Sequence, residues 1–338
     1  MKKIFTLALI ALGLSATAQQ QLYTNQLYEN AKTVMQKGDY ESAAQILSTA
    51  LQQDPNNYSM LKDYAFVNFL RRDFAKSINT AKTLVDRPDA EEQAFQILGM
   101  DYKAIAENDE CLKLYKKGLK KFPNSGVLYN DYGELLATTH DMSGAIANWE
   151  TGIRVAPGYS SNYYNAAMYY SRNPDFFWSL VYGELFINLE SYSGRTAEVK
   201  VMLLENYRKL LKDGNLPTLI VSQKEGSFAR TFLETLSRNR ASLAGEASAD
   251  QLTAWRTRFM LDWFNAKVNV KYPLRLFDNT QYLLRQGMFD AYNQWIFGTA
   301  DSPSGYQAWV DAHDKQARDF KEFQEGRVFK PLPGQIYK

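Results

Sequence analysis

The chain repeats one short pattern at a fixed spacing, and this repetition constrains its fold more than any other feature. The pattern is clearest from Gly38 to Asn57, where a glycine turn precedes small and apolar residues at helical spacing. Pro55 ends the helix predicted here, because proline lacks an N–H group and clashes with the preceding turn. The pattern returns every 34 residues, in units that begin at Thr24, Tyr58, Glu92, Gly126 and Ser160. Such a period predicts a stack of helix pairs.

Two positions of every unit hold only small residues. They are Ala31, Ala65, Gly99, Gly133 and Ala167 at the eighth position, and Ala43, Ser77, Cys111, Ala145 and Ser179 at the twentieth. Two helices of a hairpin approach closely only where side chains are small. An acid opens the second helix of each unit, where it can accept hydrogen bonds from free N–H groups: Asp39, Asp73, Glu107, Asp141 and Asp175. Each unit is therefore predicted to be a helix, a turn and a helix.

The pattern resembles the tetratricopeptide repeat family. It covers residues 19–190, and the fold class that we predict is all-α: a tetratricopeptide-type solenoid followed by a C-terminal helical domain. The fifth unit departs from the pattern, with Pro174 in its turn, Phe186 where a small residue is usual and Ser191 in place of a closing proline. It is a diverged unit of the same kind.

The resemblance implies a concave groove, lined by the first helix of each unit, that binds a peptide or a helix of another protein. By this analogy the partner-binding residues are Tyr28, Lys32, Lys62, Phe66, Phe69, Met100, Lys103, Asn130, Glu134, Tyr164 and Met168. The alternative for each of them is packing between neighbouring units. Five lysines of the third unit allow two interpretations, a patch for an acidic partner or a solvated outer face: Lys113, Lys116, Lys117, Lys120 and Lys121.

The N-terminus has the pattern of a secretory signal peptide. Lys2 and Lys3 precede an apolar stretch, residues 4–14, and the small residues of 16–18 predict cleavage after Ala18. The apolar stretch is shorter than the roughly 20 residues that span a membrane. We expect an exported protein, periplasmic or secreted, with no transmembrane segment in the mature chain.

Charge and composition narrow the function further. Without Lys2 and Lys3, the 39 basic residues become 37, equal to the 37 acidic ones, which disfavours nucleic acid as a partner. The single cysteine excludes an intramolecular disulfide. His140, His313 and Cys111 stand at unrelated places, and no nucleophile or phosphate-binding motif occurs. We expect no enzyme, no metal site and no cofactor.

Residues 191–338 lose the period and are predicted to form a C-terminal all-helical domain. Helices are predicted over residues 196–212, over 227–243, from Ser248 onward with a capping box, on both sides of Gly287, and from Ser302 to about Glu325. Residues 217–222 are either a buried loop or an isolated extended piece. Four tryptophans either line a glycan or peptide site or pack in the core: Trp255, Trp263, Trp295 and Trp309.

These observations favour one function and leave two alternatives. The first is a scaffold of the bacterial cell envelope that holds a partner protein in the groove. The second is binding or processing of a glycan or another envelope polymer by the C-terminal domain, with the repeats as a docking module. The third is an architectural role in which the repeats form a homo-oligomer.

Overall fold

The computed structural model describes residues 2–212, 214–240, 247–335 and 337–338, with side chains from Gln19 onward. Every regular element in these ranges is helical. The chain divides into two compact units, Met1–Pro123 with Glu134–His140, and Asn124–Gly133 with Asp141–Lys338. The domain junction expected at residues 190 and 191 stays a prediction.

The repeats form five consecutive helix pairs, which confirms the all-α repeat architecture. Their helices are α1 Lys2–Gln36, α2 Tyr40–Gln53, α3 Tyr58–Leu70, α4 Phe74–Val85, α5 Glu92–Ala104, α6 Asn108–Lys121, α7 Gly126–Thr138, α8 Met142–Val155, α9 Ser160–Ser171 and α10 Phe177–Leu189. The side chains of the expected signal peptide, residues 1–18, lie outside the described part of the structure. Three of the five acids cap their helices as predicted: Asp39, Asp73 and Asp141.

All ten small residues of the repeat pattern are buried, and glycine stands where its partner is largest. A Cβ on Gly99 would lie 2.2 Å from the Tyr115 hydroxyl oxygen, and a Cβ on Gly133 would lie 2.4 Å from Trp149 Nε1. In the first repeat the residue equivalent to Tyr115 is the smaller Leu47. The residue equivalent to Gly99 is Ala31, because Leu47 leaves room for a methyl group. Volume is therefore exchanged across the hairpins of the first, third and fourth repeats, as close packing requires.

The turn between the two helices of a repeat uses the left-handed backbone region. Gly38 has φ 79°, and the equivalent residues Arg72, Ala106 and His140 have φ 62°, 59° and 67°. The fifth repeat has Pro174 at this position, and proline holds φ near −65°. Its turn accordingly runs over residues 172–176, whereas that of the second repeat covers only 71–73.

Within the described ranges after Leu189, ten further helices and a π-helical turn follow. The helices are α11 Gly194–Leu211, α12 Asn215–Ser222, α13 Phe228–Ser237, α14 Ala249–Asn265, α15 Val268–Lys271, α16 Arg275–Arg285, α17 Phe289–Asn293, α18 Thr299–Asp301, α19 Pro303–Ala312 and α20 Asp314–Gly326, and the π-helical turn is Gln294–Gly298. The capping box at Ser248, the break at Gly287 and the cap at Ser302 are confirmed.

Two expectations for this region are wrong, and a third is only partly testable. Residues 217–222 form most of α12, because Pro217 lies in its first turn, where no N–H is needed. The helix expected from Ser302 to about Glu325 is broken at His313, whose φ of −129° is not helical. The helix expected over residues 227–243 ends at Ser237 in the structure, and residues 241–246 lie outside the described ranges.

The core of the second compact unit is rich in aromatic side chains and includes three of the four tryptophans considered for a ligand site. Trp255 and Trp263 are fully buried, and Trp295 is nearly so. Trp263 lies 5.8 Å from the ring of Phe228 and 5.2 Å from that of Phe277, both at steep angles that suit aromatic packing. The packing interpretation is therefore confirmed for these three tryptophans.

Candidate functional site

One face of the first helices repeats through the first compact unit. Positions i, i+4 and i+7 share a side of an α-helix. On α1, α3 and α5 these positions hold nine residues, all half-buried: Tyr28, Lys32, Met35, Lys62, Phe66, Phe69, Gln96, Met100 and Lys103. We call these nine residues the first-helix face. It contains seven of the eleven residues predicted to bind a partner.

The polar members of the first-helix face tie neighbouring repeats together. The Tyr28 hydroxyl donates to Asp63 Oδ2 at 2.8 Å, and Lys62 Nζ lies 2.9 Å from Glu91 Oε2. Burial and the nearby Asp63 carboxylate both raise the pKa of Tyr28, so the phenol remains a hydrogen-bond donor.

Two more predicted residues take part in similar pairs. Lys103 Nζ approaches Glu134 Oε2 at 3.8 Å, and Lys32 pairs with Glu29 on its own helix. The Lys32 ammonium also lies 4.8 Å from the centre of the Tyr28 ring. The charges of this face are therefore largely balanced within the protein.

The apolar members form the centre of the first-helix face. Phe66 and Met100 occupy the same position in consecutive repeats, on the adjacent helices α3 and α5. Phe69 follows Phe66 by one helical turn, and its ring lies 6.0 Å from that of Phe74. An apolar centre between Lys62–Glu91 on one side and Lys103–Glu134 on another has the composition of a peptide-docking surface.

The predicted residues of the second compact unit are placed differently. Asn130 was predicted to lie on the binding surface, but it is buried. Its side-chain oxygen accepts a hydrogen bond from Asn165 Nδ2 at 2.9 Å. The Tyr164 hydroxyl donates to Glu198 Oε2 at 2.7 Å, and burial raises the pKa of this phenol to about 12. Met168 is half-buried. For Asn130 the structure favours the alternative, packing between neighbouring helices.

The lysine cluster of α6 is largely used inside the first compact unit. Lys117 Nζ lies 2.5 Å from Asp86 Oδ1, and Lys121 Nζ donates to the carbonyl oxygens of Arg87 and Pro88 at 3.0 and 2.9 Å. These residues follow the end of α4, where free carbonyl groups attract cations. The cluster therefore stabilises a helix end, and a docking patch is not needed to explain it.

The residues considered for chemistry lie at separate places. Cys111 is buried with Sγ 3.6 Å from the Gly99 carbonyl oxygen, His140 is an exposed turn residue, and His313 stacks on Trp309. In the ranges that the structure describes, no group of three His, Cys, Asp or Glu side chains is arranged to hold a metal ion. The same ranges contain no helix with the length and apolarity of a membrane span.

Sequence reasoning missed a buried polar network in the second compact unit. Glu184 accepts a hydrogen bond from Arg256 and another from the Tyr292 hydroxyl at 2.9 Å. Asn188 Nδ2 donates to Tyr292 at 2.8 Å, and its side-chain oxygen accepts from Arg327 Nη2 at 2.6 Å. The adjoining cavity of 10 Å³ holds at most one water molecule, so the network is structural. Its signal in the sequence was Glu184, the lone acid in the apolar helix α10.

Comparisons with known proteins agree with the repeat geometry. The family model for the tetratricopeptide repeat matches residues 34–98, which extend from the end of α1 into α5. Residues 34–98 are therefore similar to tetratricopeptide repeats. A curated relative, human tetratricopeptide repeat protein 21B, is 28% identical over 126 residues, which are 37% of this chain. The matched part spans only 10% of that relative.

Solved structures with similar folds are distant in sequence. PilF of Pseudomonas aeruginosa is 12% identical with a TM-score of 0.49, over 64% of this chain and 98% of that one. A tetratricopeptide repeat protein of Parabacteroides merdae is 15% identical with a TM-score of 0.43, over 72% of this chain and 92% of that one.

Proposed function

We propose that this tetratricopeptide repeat protein is a non-catalytic scaffold whose first-helix face binds an extended peptide or a helix of another protein. The observation that carries the proposal is the apolar centre at Phe66, Phe69 and Met100, half-buried and repeated on adjacent helices. Half-exposed apolar side chains beside satisfied ion pairs gain free energy when a partner covers them, since little polar desolvation is required.

The surroundings of the centre indicate the chemistry of the partner segment. Lys62 and Lys103 are each paired with a glutamate, so the face has no excess of either charge. A strongly acidic or basic peptide would gain little there. The best ligand is a segment with apolar side chains one helical turn apart, or at alternate positions of an extended strand.

A capture experiment tests the proposal. The protein from Gln19 onward is immobilised, envelope extract is passed over it, and retained proteins are identified by mass spectrometry. The test variant is Phe66→Ala/Phe69→Ala/Met100→Ala, and the matched control is Lys113→Ala/Lys116→Ala/Lys120→Ala on the exposed side of α6. We expect a partner that the native protein and the control retain and that the test variant loses.

A second variant distinguishes loss of binding from loss of the folded structure. Phe69 packs on Phe74, so the triple variant is checked by circular dichroism. Phe66 makes no aromatic ring contact in the described part of the structure, and Phe66→Ser alone should weaken capture while circular dichroism shows a folded protein. A partner retained equally by every variant would place the site elsewhere.

We further propose that the protein is exported to the periplasm or the outside of the cell, with residues 1–18 removed. Support comes from the charged, apolar and small-residue segments at the N-terminus. The mass of the protein recovered from fractionated cells measures this directly. A chain beginning at Gln19 outside the cytoplasm is expected, and an uncleaved cytoplasmic chain would contradict the proposal.

The structure bears differently on the two alternative functions, a glycan or polymer site and self-association. Three of the four tryptophans that suggested a glycan or polymer site in the second half are buried in the core. Trp309 remains, a half-buried residue at a surface cleft. Self-association through the repeats predicts a dimer or larger species in light scattering at high concentration. A monomer there would remove it.

A further inference from the structure

The second compact unit contains an open cleft that the repeats do not form. It is bordered by α14, α17, the π-helical turn and α19, and its volume is 550 Å³, within the range of small-ligand sites. The side chains that matter for its chemistry are Asp250, Arg258, Asp290, Gln294, Trp309 and His313. A pocket of 180 Å³ extends it and shares Asp250, Gln294 and Trp309.

One wall of the cleft is held by a buried amide. Gln294 is only 6% exposed, and its Nε2 donates to Asp250 Oδ1 at 2.6 Å. A Cβ on Gly298 would lie 2.3 Å from Gln294 Oε1, so glycine makes room for the amide in this orientation. Gln294 also begins the π-helical turn, a local structure that occurs frequently at functional sites. The carboxylate of Asp250 is therefore positioned by the fold.

An aromatic pair also lines the cleft. The rings of Trp309 and His313 are stacked, with centroids 4.6 Å apart and an angle of 10° between their planes. His313 Nδ1 lies 2.9 Å from the Trp309 carbonyl oxygen, which fixes the imidazole against the indole. Since Trp309 is half-buried, the pair is a rigid, flat surface that still reaches the cleft.

Two charged groups at the cleft are not engaged by the rest of the protein. Asp290 and Arg258 are exposed, and neither side chain makes a hydrogen bond or an ion pair within the ranges that the structure describes. One supplies acceptors and the other supplies donors, in addition to the Asp250 carboxylate. The cleft thus offers both kinds of partner beside an aromatic plane.

We propose that this cleft binds a neutral saccharide. A sugar ring donates and accepts hydrogen bonds at many points and has an apolar face of C–H groups that suits an aromatic plane. An anionic ligand would meet the two carboxylates of Asp250 and Asp290 against the one guanidinium of Arg258. A neutral ligand with both donors and acceptors can bond to Asp250 and Arg258 while it packs on Trp309.

The test begins with an array of neutral and acidic oligosaccharides, followed by calorimetry of the strongest neutral binder. Trp309→Ala should weaken binding about tenfold, and Asp290→Asn about fivefold, as loss of one stacking or one charged hydrogen bond predicts. Two controls should change the affinity less than about twofold. They are Tyr192→Ala, an aromatic residue that is 66% exposed outside the cleft, and Asp311→Asn, an exposed acid of α19.

Two results would overturn the proposal. One is an array in which no neutral oligosaccharide binds the native protein better than it binds Trp309→Ala. The other is calorimetric binding that Asp290→Asn and Trp309→Ala leave unchanged. Neither result affects the protein-binding proposal, because capture on the first-helix face is measured separately with Phe66 and Met100 variants.

Discussion

The five helical repeats and the helices that follow them are held together by interactions of very different range. On the first-helix face, Tyr28 bonds to a residue 35 positions away and Lys62 to one 29 positions away, close to one repeat length. In the buried network, Arg256 reaches 72 positions to Glu184, and Arg327 reaches 139 to Asn188. The repeats thus spread their stability over many equivalent contacts, while a few long-range bonds hold the later helices to α10 of the fifth repeat.

The largest effect should come from breaking that network on one side. Arg256→Met leaves the carboxylate of Glu184 buried without its cation, and we expect a loss of about 3–5 kcal/mol in the free energy of unfolding. Chemical denaturation followed by circular dichroism measures it. Lys62→Met, which removes a partly exposed ion pair of the repeats, should cost no more than about 1 kcal/mol.

A double variant sharpens this comparison. Glu184→Leu/Arg256→Met removes both charges and should be more stable than Arg256→Met alone, because no unpaired charge stays buried. If the double variant is the less stable of the two, the pair stabilises the fold by itself, and the account of a desolvated charge is wrong.

The next effect concerns the volume exchange inside a repeat. Gly99→Ala places a methyl group against Tyr115 and should cost about 2 kcal/mol. Gly99→Ala/Tyr115→Leu reproduces the Ala31–Leu47 combination of the first repeat and should recover most of that loss. Thermal and chemical unfolding of the four proteins of this cycle checks it, and additive losses would contradict the exchange.

Opposite pH dependences should distinguish the repeats from the later helices. Burial raises the pKa of Asp101, which accepts from Ser77 Oγ at 2.6 Å, from 3.8 to about 6. The folded protein then holds this proton more tightly than the unfolded chain does, so stability falls as the pH rises from 3.8 to about 6. Asp101→Asn should remove that slope and raise stability at neutral pH by about 1–2 kcal/mol.

Lys200 of α11 should act in the other direction. Its ammonium lies 3.8 Å from the centre of the Trp295 ring, and burial lowers its pKa from 10.5 to about 7. The unfolded chain binds this proton more tightly, so stability rises between about pH 7 and 10.5. Lys200→Met should abolish the rise. The free energy of unfolding of each variant is measured as a function of pH. A variant that keeps the slope of the native protein contradicts the role assigned to the replaced residue.

The smallest effect lies in the turn of the third repeat. Ala106 has φ 59°, a region that costs non-glycine residues about 1 kcal/mol, and Ala106→Gly should raise stability by roughly 0.5–1 kcal/mol. Ala147→Gly, in the interior of α8, should instead lower it by about 1 kcal/mol. Melting temperatures of the two variants that move in the same direction would contradict this interpretation.

The sequence predicted the repeats well because each of their contacts recurs with the period. Gly99 and Gly133 indicated that the two helices of a pair lie close together. Gly38 indicated a turn, and Arg72, Ala106 and His140 adopt the same left-handed backbone conformation. The face at Phe66 and Met100 followed from the same register. The period does not indicate which polar side chains face the solvent. Asn130 can be buried because Asn165 donates a hydrogen bond to its side-chain oxygen.

The later helices were predicted as segments but not as a site. Caps at Ser248 and Ser302 depend on neighbouring residues and could be found from the sequence. The bond between Gln294 and Asp250 joins residues 44 positions apart, and nothing local indicates it. The same holds for the approach of α14 and α19 that places Trp309 at the cleft.

The most direct test of the central claim is site-specific photocrosslinking in the native cell. A photoreactive amino acid is placed at position 66, at position 100, or at position 116 on the exposed side of α6. The account predicts that positions 66 and 100 crosslink to the same partner protein and that position 116 does not. A partner that crosslinks only from position 116, or equally from all three positions, would contradict binding at the first-helix face.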